Sequence, residues 1–171
     1  MNRFIELQLA QTDISEHLPT LRLLSSLCDH VVEFGVRSGV STVAIISSGT
    51  PSTHYDIAPQ PYEFPYGHTF IQKSTLEIEI PEVDMLFIDS EHSYNQLKQE
   101  LALHAHKVRK FLVFHDTTTF ADALIPAIDE FLKENPKWYV LAQYLNNNGL
   151  TILSRSLFFG ERLPLIKVKA D

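Results

Sequence analysis

Two short segments gather acids and histidines: Phe87-Ile-Asp89-Ser-Glu-His92-Ser-Tyr94 and Phe114-His115-Asp116-Thr117. Each acid ends an apolar run of strand character. In an open parallel sheet, ligands collect outside the carboxyl ends of the strands. If the two runs are neighbouring strands, Asp89 and Asp116 converge. Two carboxylates with water suit a hard divalent cation such as Mg²⁺. His92 lies one helical turn beyond Asp89, where an imidazole can act as a general base near neutral pH. With His92 or His115 as a metal ligand instead, a softer transition metal would be favoured. The same spacing also serves plain structure: Asp89 and Asp116 can cap the helices that follow, and the histidines can simply hydrogen-bond.

A third segment, Glu33-Phe-Gly35-Val-Arg-Ser-Gly39-Val-Ser41, has the form of a strand-to-helix turn. Glycine belongs where backbone and ligand approach closely, and free N–H groups at the helix start suit an anion. Glu33 can neutralise an ammonium or accept hydroxyl hydrogen bonds. Alternatively, the segment is a tight turn with a structural glycine pair. Asp56, at the end of the next strand, is placed to accept from ribose hydroxyls, or it is a solvated loop acid. Nothing marks His17, His30, His54, His68, His104 or His106 as ligands.

The elements that must position these residues alternate between strand and helix, which argues for a parallel sheet with crossover helices. Leu18, Leu21, Leu24 and Leu27 predict a helix over 15–28, with Ser15 as its cap. Strand 31–36, a short helix over 41–47 closed near Gly49, and strand 53–57 follow. The stretch APQPYEFPYG is too rich in proline for a helix. Strands over 69–73, 84–89 and 110–115 and helices over 93–108 and 121–135 come next, Pro126 being tolerable in a first turn. Last, NNNG joins two apolar runs as an antiparallel hairpin.

The 171 residues suit a single domain spanning 1–171 with a real core. A net charge of −7 without a basic stripe argues against nucleic acid. Lys107, Arg109 and Lys110 are expected at a helix C-terminus. The single cysteine, Cys28, suits a reducing compartment. With no signal peptide and no apolar run long enough to span a bilayer, a cytoplasmic protein independent of membranes is expected. The apolar tail residues Leu157, Phe158 and Phe159 suggest a homo-oligomer interface.

Taken together, EFGVRSGVS, YDIAP, LFIDSEHSYNQLKQEL and VFHDT resemble the class I S-adenosylmethionine-dependent methyltransferases over about residues 30–155. The match is to the small branch with FID-x-x-HSY and HDT, which includes sugar and macrolide-sugar O-methyltransferases; catechol O-methyltransferases are more distant. The resemblance implies a Rossmann-like three-layer sandwich with strand order 3-2-1-4-5-7-6. It implies that Glu33, Gly35, Gly39 and Ser41 line the methionine part of the cofactor, Ser41 meeting its carboxylate. Asp56 would hold the ribose and Ser74 would lie near the adenine. Asp89 and Asp116 would bind Mg²⁺ or another divalent cation, with His115 or Thr117 beside them. His92 would take the proton from a hydroxyl of a small-molecule or sugar acceptor. The family usually carries a helix between strands 2 and 3, where this chain has APQPYEFPYG, and no large insertion supplies a lid. Two other readings follow from these departures and from the Asp/His cluster. One is a reduced cofactor-binding module; the other is a metal-dependent hydrolase on the same scaffold.

Overall fold

The computed structural model describes residues 3–155 and the backbone of 166–168. Along the sequence run α1 (Arg3–Leu9), α2 (Leu18–Ser26), β1 (Val31–Phe34), α3 (Val40–Ile46), β2 (Ser52–Asp56) and β3 (His68–Gln72). Then come β4 (Val83–Ile88), α4 (Tyr94–His104), β5 (Val108–His115), α5 (Ala121–Glu134), β6 (Trp138–Tyr144), β7 (Leu150–Arg155) and β8 (Ile166–Val168). The strands form one sheet in the order β3-β2-β1-β4-β5-β7-β6-β8. Its first seven positions follow the expected order, and β8 adds a parallel edge strand beside β6. β7 is antiparallel to both β5 and β6.

The central strands are apolar on both faces because both are covered. On β4, Leu86 and Ile88 face α4 and α5 with Leu97, Leu101, Ile128 and Phe131. Met85 and Phe87 face α2 and α3 with Leu18, Leu21 and Ile45. Two helical layers therefore sandwich the sheet. Among the described residues no helix is long and apolar enough to cross a membrane.

Several local expectations change. The helix predicted over 15–28 opens with a 3₁₀ turn at Ser15–His17, and α2 proper starts at Leu18 with Pro19 in its first turn. Ser15 does not cap it: its hydroxyl donates to the Leu7 carbonyl and bonds Thr12. Helix α4 stops at His104, and a 3₁₀ turn leads directly into β5. Lys107 ends that turn, whereas Arg109 and Lys110 lie near the start of β5 and pair with buried Asp84. Pro126 lies within α5, beyond the first turn. Both it and Asp122, whose carbonyl loses its helical donor, are exposed to water. The tail residues Leu157, Phe158 and Phe159 lie outside the described residues.

No helix forms between β2 and β3. An aromatic cluster fills that layer instead. Phe64 packs against the Tyr62, His54 and Phe70 rings, with centroids 5.1, 5.0 and 5.7 Å away. The proline-rich loop thus brings flat side chains to the sheet face that α3 also covers.

Candidate functional site

The carboxyl ends of β1, β2 and β4 open into a cavity of about 500 Å³, a volume ordinary for a small-molecule site. Gly35, Ser41, Asp56, Ser74, Asp89 and His92 all line it. Gly35, at φ +86°, passes so close to β4 that a Cβ there would stand 2.0 Å from the Asp89 carbonyl oxygen. Glycine is needed to join β1 to the turn while leaving the cavity floor open.

Asp56 organises the turn as well as the cavity. Its Oδ2 accepts from the Val36 and Arg37 N–H groups at 2.7 and 2.8 Å, and its Oδ1 from Ala58 N–H at 2.8 Å. Burial pushes its pKa up, but these N–H donors outweigh burial and hold the carboxylate below its ordinary range.

Three of the expected cofactor residues make other contacts in the structure. Glu33 does not reach the cavity: it points beneath α3 with 0% exposure. There it accepts from Ser41 Oγ at 2.5 Å and Thr42 Oγ1 at 2.7 Å, and pairs with His54 Nδ1 at 2.5 Å. Side chains alternate along β1, so Glu33 shares the α3 face with Val31. Ser41 lines the cavity, and its hydroxyl proton is engaged by Glu33. Gly39 is not in the lining; its Cα faces Tyr62, whose ring would meet a Cβ at 2.4 Å.

Beside the cavity, β4 and β5 bring Asp89 and Asp116 together as their pairing requires. His92 Nε2 lies 3.3 Å from Asp89 Oδ1 and 2.9 Å from Asp116 Oδ2. Asp116, then Asp89, hold the His92 pKa up at about 9. The His92 ring stacks on Phe120 with centroids 4.5 Å apart. Asp116 adopts φ +61°, a left-handed conformation that aspartate tolerates. One ligand atom from each of Asp89, His92 and Asp116 lies within 4.8 Å of the others, and Asp116 Oδ1 is buried without a hydrogen-bond partner. This donor set fits a divalent cation.

His115 is not one of the three residues in that set. Its Nδ1 faces Asp89 Oδ1 and Asp116 Oδ2 at 3.3 and 3.4 Å. Its Nε2 faces the carbonyl oxygens of Asp13 and Asn147 at 3.1 and 3.2 Å. All four partners are acceptors, an arrangement that favours a proton on each ring nitrogen. Burial lowers its pKa, but Asp116 and Asp89 outweigh burial and raise it to about 10. Thr117 turns away from the acids, accepting from the Thr151 hydroxyl at 2.9 Å.

Some site residues have no sequence signal. Glu100 lies beneath the cavity wall and binds Thr75, Ser90 and Gln96. Burial pushes its carboxyl above the usual range, against the pull of those three partners. Glu100 and Gln96 are four apart on α4, a spacing that puts them on one side of the helix, but nothing in the sequence brings Thr75 and Ser90 to them. Asp13 is equally unforeseen: it pairs with Arg37 at 2.8 Å.

The strand order, the antiparallel hairpin at the sheet edge and a cavity beyond β1, β2 and β4 define the fold of class I S-adenosylmethionine-dependent methyltransferases. Solved structures of that class superpose on the chain. A candidate caffeoyl-CoA O-methyltransferase from Staphylococcus aureus matches with a TM-score of 0.66 at 15% identity, covering 82% of this chain and 83% of its own. An O-methyltransferase from Bacillus cereus in complex with SAH matches at 0.62 and 11% identity, over 82% and 81% of the two chains. The MycE methyltransferase of mycinamycin biosynthesis, in complex with Mg and SAH, matches at 0.65 and 14% identity. That alignment covers 88% of this chain but 52% of MycE. At such identities the likeness is one of fold. No protein-family model and no curated protein sequence matches the chain.

Proposed function

We propose that the chain is one domain that transfers a methyl group from S-adenosylmethionine to a hydroxyl of a small molecule or sugar. The observation that carries this reading is the meeting of two features at Asp89 and His92. Both residues line the cavity, and both belong to the Asp/His cluster beside it. A cofactor held in the cavity and an acceptor held at the cluster would touch across that shared wall. Gly35, Ser41, Asp56 and Ser74 are the cofactor-side residues of this proposal, and Glu33 acts through Ser41.

When bound, S-adenosylmethionine supplies an electrophilic methyl group. The protein's task is then positioning and proton removal. Asp116 and Asp89 hold the His92 Nε2 proton, which leaves Nδ1 to accept the hydroxyl proton once the ring is neutral. Phe120, stacked on that ring and 41% exposed, forms an apolar wall for the acceptor. Asp89 and Asp116 are the residues that would hold a divalent cation, whose chemistry there would be to lower the pKa of an acceptor oxygen.

Calorimetric titration with S-adenosylmethionine, with and without Mg²⁺, is the direct test, followed by a methyl-transfer screen over hydroxylated acceptors. The expected result is micromolar binding weakened by Asp56→Ala, with turnover lost in His92→Ala while cofactor binding stays. Removing a positioned general base typically costs about 10²–10⁴ in rate. Binding without turnover on any acceptor would leave a cofactor-binding module. Metal binding with no affinity for S-adenosylmethionine would favour a hydrolase.

A further inference from the structure

Glu100 is an acid with 0% exposure that is not itself part of the cavity lining. Its Oε1 accepts from Thr75 Oγ1 at 2.6 Å, Ser90 Oγ at 2.7 Å and Gln96 Nε2 at 3.0 Å, and its Oε2 accepts from Ser90 at 3.0 Å. The second Gln96 amide proton goes to Thr75 Oγ1 at 3.0 Å. Thr75, Ser90 and Gln96 all line the cavity beside Ser74. The carboxylate also decides how the Gln96 amide is turned, because the flipped amide would set its oxygen against Glu100.

The donors can be counted. A threonine hydroxyl, a serine hydroxyl and a glutamine amide carry four protons in all, and the bonds to Glu100 and Thr75 engage every one. What these bonds leave unengaged on the three lining residues is hydroxyl lone pairs and the Gln96 carbonyl oxygen. Ser74 differs: its Oγ accepts from the Leu76 N–H, and its own proton is free to donate. This end of the cavity therefore offers several acceptors and one hydroxyl donor.

We infer that Glu100 is a positioning residue that sets this polarity, so that the cavity takes a purine bearing an exocyclic amine and rejects its 6-oxo counterpart. The amine donates to the Thr75, Ser90 and Gln96 acceptors, while Ser74 donates to a ring nitrogen. A 6-oxo group would bring an acceptor against acceptors, the unpaired arrangement that discriminates most strongly between close analogues. The inference rests on the proposed S-adenosylmethionine reading and adds how its base would be chosen.

The test is calorimetric titration of the full chain with S-adenosylhomocysteine and with S-inosylhomocysteine, its 6-oxo analogue. The readout is the ratio of the two affinities, which a merely structural role would not move. The wild type is expected to prefer the amino compound by about tenfold or more. In Glu100→Gln the new amide brings its own protons, frees a serine or threonine proton toward the cavity and brings the ratio close to one. Gln96→Met, which leaves the buried acid in place, is expected to weaken the amino compound alone, and it serves if Glu100→Gln does not fold. An unchanged ratio in a folded Glu100→Gln, or a parallel loss of both ligands in Gln96→Met, overturns the role of Glu100 alone. Failure of the wild type to bind either compound overturns the cofactor reading and this inference with it.

Discussion

His92 and His115 share two carboxylates, yet their surroundings separate their roles. His115 is enclosed by acceptors on both ring nitrogens, and Asp116 and Asp89 outweigh burial to raise its pKa to about 10. His92 is more open, on the cavity wall, and its pKa stands at about 9 because of Asp116 first and Asp89 second. A ring whose pKa is raised is protonated at neutral pH, and the neutral base appears only as the pH rises through that value. In the absence of divalent cations, methyl transfer is therefore expected to increase with pH and level off above about 9. Asp116→Asn removes the largest cause and is expected to move the inflection to lower pH. A pH–rate profile of both proteins checks this; coincident profiles would show that His92 does not set the rate. Sequence spacing brought out Asp89, His92 and Asp116 as a group. It could not separate the two histidines, because that depends on Asp13 and Asn147, which are remote in the chain.

At the scale of elements, the β6–β7 hairpin does more than turn the chain. Asn147, Asn148 and Gly149 have φ of 46°, 69° and 93°, which Asn and Gly accommodate better than other residues. The turn docks on the segment before α2: Asn147 accepts from the Glu16 N–H at 2.9 Å and donates to the Thr12 carbonyl at 2.8 Å. His17 Nε2 contacts the Asn146 and Asn147 carbonyl oxygens at 3.1 and 3.2 Å. A Cβ on Gly149 would stand 2.4 Å from the Thr118 backbone nitrogen. Gly149→Ala therefore adds backbone strain to an overpacked contact, on the order of 3 kcal/mol. For a chain of this size that lowers Tm by about 6–12 °C, measurable by thermal melting; a change within about 1 °C would contradict the close approach. The hairpin itself was legible from NNNG between apolar runs. Its docking partner was not, since α1 and the Thr12–His17 segment show no pattern that points to it.

Across the whole molecule, the two ends of the sheet have different tasks. The carboxyl ends hold the cavity and the acid cluster. At the opposite end, Asp84 begins β4 with 1% exposure and binds the Asp29 N–H at 2.6 Å, Arg109 at 2.9 Å and Lys110 at 3.3 Å. Burial pushes its pKa up, but the Asp29 N–H, Lys110 and Arg109 outweigh burial and hold it below the ordinary carboxylate range. A depressed folded-state pKa contributes stability above the unfolded value, and that contribution is lost as pH falls through the folded one. Acid titration of stability is therefore expected to be shallower in Asp84→Asn than in the wild type below about pH 4. Identical slopes in denaturant melts across that range would refute the assignment.

The layer architecture was determined by the sequence itself. Alternating apolar strands and amphipathic helices bury their faces in few ways, and the motifs at the strand ends mark which end carries the site. Gly35, Asp56, Asp89 and Asp116 are legible for that reason, because each stands where a strand ends, and His92 because it follows Asp89 by three residues. Only the tertiary structure decided which polar groups face the cavity. Glu33 turned under α3 because strand alternation and three buried partners hold it there. Tyr62 and Phe64 replaced a helix because a proline-rich loop can still deliver flat apolar surface. Glu100 reached Thr75 and Ser90 because burial of an acid requires donors, and those donors came from elements that only folding brings into contact.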